Sequence, residues 1–536
     1  VSDQRTEATR QLMAGVHLDA RFRDAVIDEL YEHPARVAAP AYDFDAVPVL
    51  VEAFRARRLA RLWALPTALL WITGFVLLGW LFAVYAVGAS ALFGAARVLG
   101  DRASPLPTAV VARRPPPTRG ARLWGGALRG FGRLTLVGYA TLVVALSGVD
   151  GPRVWGVAPF VAAIPLTAMM VVVTGFHRRS VVRQLTGIQS HPPSSRGPGA
   201  TLAELGPTIS QITRTQASRM VVHPPGDPFV GSGTALHAEC VTTRLRPSDR
   251  PDVERFVARR ILDVVGASVA RVSALAQQVD NCLFLSEDVA PPPSRLYDSR
   301  DLDRLHDSAL GGSGPGIRLL RIVCRGPRSQ LTTVFVRVRL VNPYLSVELH
   351  TYVLPPVRPD FAAAGRPGEG WQSSGHPFVP RSEGRSLALA FLRTPSAGAG
   401  ALAELAVWPV RRLRALSLLD SLGVTGPRVS IRELAAEREL SEPELLDSHR
   451  IAGIVRQLVL DTVRAELAAL GLSAPGLTDR EHESYESRGG IQIQIGNITP
   501  GNMATGSSAR ATGPLRHTSP GPTTNPDDDS WDDDLG

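Results

Sequence analysis

Three long uncharged runs between residues 63 and 176 constrain this chain more than anything else in it. Trp63–Ala96 holds 34 residues without a charge, Leu134–Val149 holds 16, and Val154–Phe176 holds 23. An apolar run of roughly 18 residues or more is long enough to cross a bilayer as a helix. The flanks are rich in arginine: Arg55, Arg57, Arg58 and Arg61 precede the first run, and Arg178, Arg179 and Arg183 follow the last. The segment Arg97–Arg133 carries eight arginines against one aspartate. Basic residues collect on the cytoplasmic side of spans. A single crossing by Trp63–Ala96 would strand one of these clusters outside, whereas two crossings as a tight hairpin keep them all inside. The expectation is therefore an α-helical transmembrane anchor over residues 63–176 with an even number of crossings, four in all. Length pulls the other way, since 34 residues leave about 25 Å per pass against a hydrocarbon core of about 30 Å. No Asp, Glu, Lys, Arg or His lies inside the runs, and intramembrane ionisable groups are the usual mark of a transport path. The runs read as an anchor.

The remaining chain divides by composition. Residues 1–62 form a cytosolic helical segment: Phe22, Val26, Ile27 and Leu30 share a stripe, Asp19 is a suitable N-cap, and a second helix starts near Asp45. Residues 177–229 are Ser/Pro/Gly-rich and read as linker. Residues 230–472 read as a cytosolic α+β domain. Thr234–Leu245 alternates as a strand, Asp252–Leu275 is an amphipathic helix, and Asn281–Leu285 is a short strand. Three β-rich runs from Ile317 to Leu354, divided by turn residues, predict an antiparallel β-meander. Helices return at Ala401–Leu418 and Ser441–Leu470. Strands grouped before helices favour α+β over a doubly wound sheet. Residues 473–536 are polar and read as a disordered tail.

Composition narrows the function classes. The chain has no lysine, and its net charge of +8 is accounted for by arginines beside the spans, so no nucleic-acid partner is expected. Cys240, Cys282 and Cys324 are odd in number and widely spaced, which predicts reduced, buried thiols. The first apolar run starts some 60 residues in and is too long for a signal peptide, so targeting is expected through the span itself, to the plasma (inner) membrane with both soluble regions cytoplasmic. Val230–Gly233 and Gly311–Gly316 precede strand-like runs rather than helices and have no lysine behind them, which favours turns over a phosphate loop. Asp301, Asp303, His306 and Asp307 lie close in sequence, but no further ligand accompanies them. His350 reads as a satisfied sheet histidine and His449 as a surface or packing residue. Neither a metal nor a cofactor is expected.

The opening residues RQLMAGVHLDARFRDAVIDEL and DFDAVPVLVEAFRARR, with HRRSVVRQLTG and DPFVGSG further on, resemble a group of uncharacterised multi-pass membrane proteins of high-GC filamentous bacteria. The likeness covers the first 240 residues or so and implies membrane placement. Near the C-terminus, Ile491, Gln492, Ile493, Gln494 and Ile495 alternate apolar and amide side chains, followed by Gly496, Asn497, Gly501, Asn502 and Met503. Such a segment fits the steric-zipper pattern. It resembles the RIP homotypic interaction motif of necroptosis proteins and related bacterial amyloid signalling motifs. Ile493–Gly496 matches the first half of that motif, and Asn502–Met503 is the candidate for the second. Five residues separate Gly496 from Asn502, where the motif has two. The resemblance implies templated pairing with the same or a cognate segment (residues 491–506). The six aspartates around Trp531 would restrain it by like-charge repulsion.

These readings converge on a membrane-anchored, non-catalytic signalling or scaffold protein that assembles homotypically, with the bilayer and a matching IQIG-type segment as partners. The alternatives are a membrane-tethered enzyme with its site in residues 223–420 and a structural multi-pass protein of an envelope complex.

Overall fold

The computed structural model describes residues 2–99, 119–147, 154–190, 205–245, 252–272, 276–290, 316–341, 344–365, 425–437, 440–472 and 482–484. The described strands are β1 (Met220–His223), β2 (Thr234–Arg244), β3 (Ala276–Ser286), β4 (Gly316–Arg325), β5 (Leu331–Val341), β6 (Tyr344–Leu354) and β7 (His482–Ser484). They form one seven-stranded sheet in the order β1-β3-β4-β5-β6-β2-β7. The predicted meander is its centre: Arg321 pairs with Phe335 and Phe335 with His350, all antiparallel. The sheet is mixed rather than wholly antiparallel, because β1 runs parallel to β3. A parallel pair needs a long crossover, and β2 with the helix after it supplies one. β3 is 11 residues long, not five; its first half, Ala276–Asn281, is only partly buried and carries no apolar alternation to betray it.

One sheet face is covered by two helices, α8 (Asp252–Arg271) and α11 (Glu442–Ala469). Their stripes Val257, Ile261, Val265 and Ile451, Val455, Val459 pack on Ile322, Val334, Val336 and Val347. Each such side chain fully buried contributes about 1.5–3 kcal/mol. Ser441 and Glu444 form a capping box at the start of α11, and Arg456 grips Glu239 on β2 with bonds of 2.7–2.9 Å. The domain is α+β, as expected.

The N-terminal helices are α1 (Ser2–Leu18), α2 (Ala20–Ile27) and α3 (Ala46–Leu78). Asp19 caps α2 by accepting from the amides of Arg21 and Phe22, and Asp45 caps α3 by accepting from Val47. Their core includes Leu12, Phe22, Ile27, Val49 and Leu50, and distant segments complete it. These are Leu185 and Ile188 of α6 (Val154–Ser190), Phe361 of α9 (Pro359–Gly365), and Ile431 and Leu434 of α10 (Ile431–Leu434). Phe361 lies 5.2 Å from Phe22 and carries the Arg358 guanidinium 4.2 Å above its ring. Within the stretch read as linker, the structure places the end of α6, α7 (Gly206–Gln216) and β1.

α3 changes character along its length. Val49, Leu50 and Ala53 are core, whereas Leu62, Leu65, Leu69, Ile72 and Val76 are exposed. The helix stops at Gly79, whose φ of +51° favours glycine, and α4 (Trp80–Leu99) bends back towards the end of α3 there. Phe82 sits 5.6 Å from Trp71, and Tyr85 sits 6.2 Å from it. α4 then packs antiparallel on α5 (Arg119–Ser147), with Gly88 against Gly132 and Tyr85 5.5 Å from Tyr139.

The expected four crossings are not supported by helix length and hydropathy. Among the described residues one helix, Ala46–Leu78, is long and apolar enough to span a membrane, with only 22% of its most apolar stretch buried. The apolar part of α4, Phe82–Leu92, is short, and α5 carries Arg122, Arg129 and Arg133. One such helix points to membrane association without fixing a topology. The predicted helix Ala401–Leu418 and the Asp301–Asp307 cluster lie outside the described residues.

Replacing Phe361 by alanine tests whether the N-terminal helices depend on the downstream chain. The expected cost is about 3–5 kcal/mol, read as earlier thermal unfolding and faster proteolysis within residues 2–59. Unchanged protection there would show that the helices stand without α9.

Candidate functional site: a buried polar junction

The sheet face opposite α8 and α11 carries a chain of buried polar contacts, which joins stretches far apart in sequence. The loop after β1 turns at Gly231 and Gly233, with φ of +96° and +90°. Both amides point at one oxygen: Gly231 and Gly233 each donate to Glu433 Oε1 at 2.9 Å. Successive amides turned to one side form an anion-binding nest, and here the anion is a side chain of the same protein. The other oxygen, Glu433 Oε2, accepts from the Ser430 amide at 3.0 Å, closing the capping box of α10. A Cβ at Gly233 would collide with the Val353 carbonyl of β6, so position 233 needs glycine for both its φ and its lack of a side chain.

Between those glycines, the Ser232 hydroxyl lies 3.1 Å from that of Tyr42. The Tyr42 ring packs on Val323, Leu331 and Leu354, and the Arg321 guanidinium stacks 5.1 Å from its centroid. Arg321 also donates to Asp280 at 3.0 Å. Next to Tyr42, the fully buried Asp43 lies 3.5 Å from Arg432 Nε and 3.7 Å from Arg325 Nη2. Those spacings hold an ion pair but exceed hydrogen-bond geometry. Both Asp43 oxygens, with Arg432 Nε and Nη1, have no hydrogen-bond partner among the described residues. Arg432 is tethered instead through Nη2 to the Ser329 carbonyl at 2.9 Å.

Burial dominates the electrostatics. It pushes the Glu433 carboxyl up against the opposing pull of its three backbone donors. It likewise holds the Arg432 guanidinium below its usual range, opposed by Asp43. At the edge of the junction, burial pushes the Asp19 carboxyl up to about 6 in spite of its 2.8 Å bond from Arg358. The arrangement can do one thing well: it clasps the chain before α3, the loop after β1 and the segment 425–437 together over the sheet.

The same face continues as a partly exposed row. Phe229 stacks on Phe335, Tyr352 and His350 at 4.7, 4.8 and 5.4 Å. Glu348 lies 3.3 Å from Arg337 and 3.9 Å from His350. Burial would raise the Glu348 carboxyl, but His350 and Arg337 together hold it below the usual range. His350 is thus the satisfied sheet histidine the sequence predicted, and His449 packs within α11 with Nδ1 2.8 Å from the Leu445 carbonyl. The three cysteines are free and buried, as expected, and burial pushes the Cys324 thiol up to about 12. Among the described residues no group of His, Cys, Asp and Glu is placed to hold a metal.

Every residue singled out for assembly, Ile491, Gln492, Ile493, Gln494, Ile495, Gly496, Asn497, Gly501, Asn502 and Met503, lies outside the described residues. The nearest described element is β7, which pairs antiparallel with β2 through Cys240 and Glu483. The sequence reading missed the clasp. It recognised Val230–Gly233 as a turn, but the carboxylate that fills it is some 200 residues away.

The sequence pattern of the AbeC-like domain family matches residues 222–499, more than half of the chain, and the chain belongs to that family. The match opens in β1, takes in the sheet, α8 and α11, and runs through Ile491–Ile495. Neither the curated proteins nor the solved structures returned a match.

Two outcomes follow from the clasp. Gly233→Ala is expected to destabilise the protein by more than the roughly 1 kcal/mol of an ordinary Gly→Ala strain, since the Val353 carbonyl must also move; calorimetry checks this. For Asp19 the native carboxyl, near 6, binds its proton more tightly than the unfolded one near 3.8. Its contribution to stability is therefore complete at low pH and lost as pH rises from about 4 to about 6. Melting curves of wild type and Asp19→Asn should accordingly shift against wild type across that window, and a constant difference would refute the assignment.

Proposed function

We propose that this protein is a membrane-anchored, non-catalytic signalling or scaffold module, whose AbeC-like domain is held at the cytoplasmic face and assembles through its C-terminal segment. One observation carries the anchoring: α3 passes without a break from the N-terminal core to bare apolar surface. A 33-residue helix with Val49 and Leu50 buried at one end and Leu69, Ile72 and Val76 exposed at the other fits insertion of its second half into lipid. In lipid the exposed half loses its cost. Exposed Leu134, Val137, Val172 and Phe176 extend the same surface to α5 and α6. The C-terminal end of α6 is seated in the same core as the start of α3, which keeps these two helix ends on one side of the apolar surface.

Assembly is supported from two directions. The family match extends to residue 499 and so reaches past Ile491–Ile495, which favours reading the alternating segment together with the domain. β7 brings the chain to the outer edge of β2 just before that segment, and an unpaired sheet edge is where extended chains add. Confinement to a membrane raises the effective concentration of such segments.

Deletion of residues 489–506 is expected to abolish clustering of the tagged protein in cells while leaving it in the membrane fraction. The isolated segment should form fibrils that bind thioflavin T. Unchanged clusters together with a monomeric peptide would reject the assembly reading.

A further inference from the structure

The two helices that leave the N-terminal core for the apolar surface carry a collar of arginines, and its place is fixed by one aromatic contact. Trp63 of α3 stacks on His177 of α6, with centroids 6.0 Å apart and planes inclined by 22°. Residues before Trp63 on α3 share a core with residues after His177 on α6, so the helices run antiparallel there. Counting outward from the stack, Arg61 and Arg179 both lie two residues away, about 3 Å along the axis. Arg58 and Arg183 lie five and six residues away, about 8–9 Å.

Arg58, Arg179 and Arg183 are exposed. Acidic residues are missing where these arginines would need them for pairing within their own helices. α6 contains none, and α3 contains only Glu52, which is buried and held by His17 and Arg55 at 2.9 and 3.0 Å. From residue 46 to residue 190 the chain has 16 arginines and three acids. An indole at the edge of an apolar belt marks the level of lipid headgroups. The headgroup layer is about 5–8 Å deep on each side, so arginines from about 3 to 9 Å beyond the stack lie at phosphate depth.

We propose that Arg58, Arg179 and Arg183 form a binding collar for the phosphates of anionic phospholipids, seated against the Trp63–His177 stack. Guanidinium forks suit phosphate oxygens better than point charges do, and juxtamembrane arginines are attracted to anionic leaflets. The proposal rests on the membrane reading of α3 and α6 and adds to it a lipid preference.

The test uses the full chain in zwitterionic micelles, titrated with labelled phosphatidylglycerol, labelled phosphatidylcholine or inorganic phosphate. Preferential binding of phosphatidylglycerol is expected, with affinity falling roughly fivefold for each arginine replaced in Arg58→Gln, Arg179→Gln and Arg183→Gln. Inorganic phosphate should not compete at equal concentration. Equal binding of the two lipids, or a triple variant that keeps the preference with an unchanged melting curve, would overturn the collar. Alkaline carbonate extraction of membranes separates this from the anchoring itself. A chain that resists extraction yet shows no lipid preference removes the collar alone. A chain that is released yet still sediments with phosphatidylglycerol vesicles keeps the collar and removes the spanning reading.

Discussion

A carboxylate largely withdrawn from water must be given its hydrogen bonds by the protein around it, and that demand on Glu433 ties distant parts of the fold together. Its two oxygens collect amides from Gly231, Gly233 and Ser430. Meeting them requires a loop with two left-handed glycines, a capped turn 200 residues later, and a β6 carbonyl, that of Val353, which excludes any side chain at position 233. Leaving such a group unsatisfied costs about 1–3 kcal/mol, and more for a charge. Three pieces of chain with little affinity for one another are thus held in one arrangement. Tyr42, bonded to Ser232 within the same loop, extends the clasp to the residues just before α3.

The consequence is mechanical. Asp43 and Tyr42 sit in the clasp and Asp45 caps α3 two residues later, so the clasp directly abuts the start of α3. α9 and α10 reinforce it by completing the core of α1–α3. The AbeC-like domain is thus joined to α1–α3 through the clasp and a shared core. The buried ions at Asp43, Arg432 and Arg325 add little net energy when paired at 3.5–3.7 Å. Removal of any one, however, leaves the others uncompensated, so they favour this junction over looser alternatives.

What the sequence disclosed depended on whether the determining contact was local. The β4–β6 meander was legible because alternation such as Thr333-Val334-Phe335-Val336 directly encodes its two faces, one for Phe335 and one for the helices. α11 was legible from its 3.6-residue stripe, Asp19 from capping chemistry, and the start of α3 near Asp45 from the apolar run that follows it. The first half of β3 was not, because Gln277, Gln278 and Asp280 take strand conformation from their neighbours rather than from any pattern of their own. The conflict between 34 apolar residues and the length of two crossings was real. Gly79 breaks the run into α3 and α4 and leaves in α4 an apolar stretch shorter than a span. The clasp was invisible, since nothing near Glu433 in sequence hints at two glycines 200 positions earlier.

Amide hydrogen exchange of the wild type and Glu433→Ala tests the clasp most directly. If Glu433 joins the anchor side of the molecule to the sheet, the variant loses protection together at Gly231–Gly233, through α1 and α2, and in α10, while α8 and α11 keep theirs. Loss confined to residues 425–437, with α1 and α2 still protected, would contradict the account.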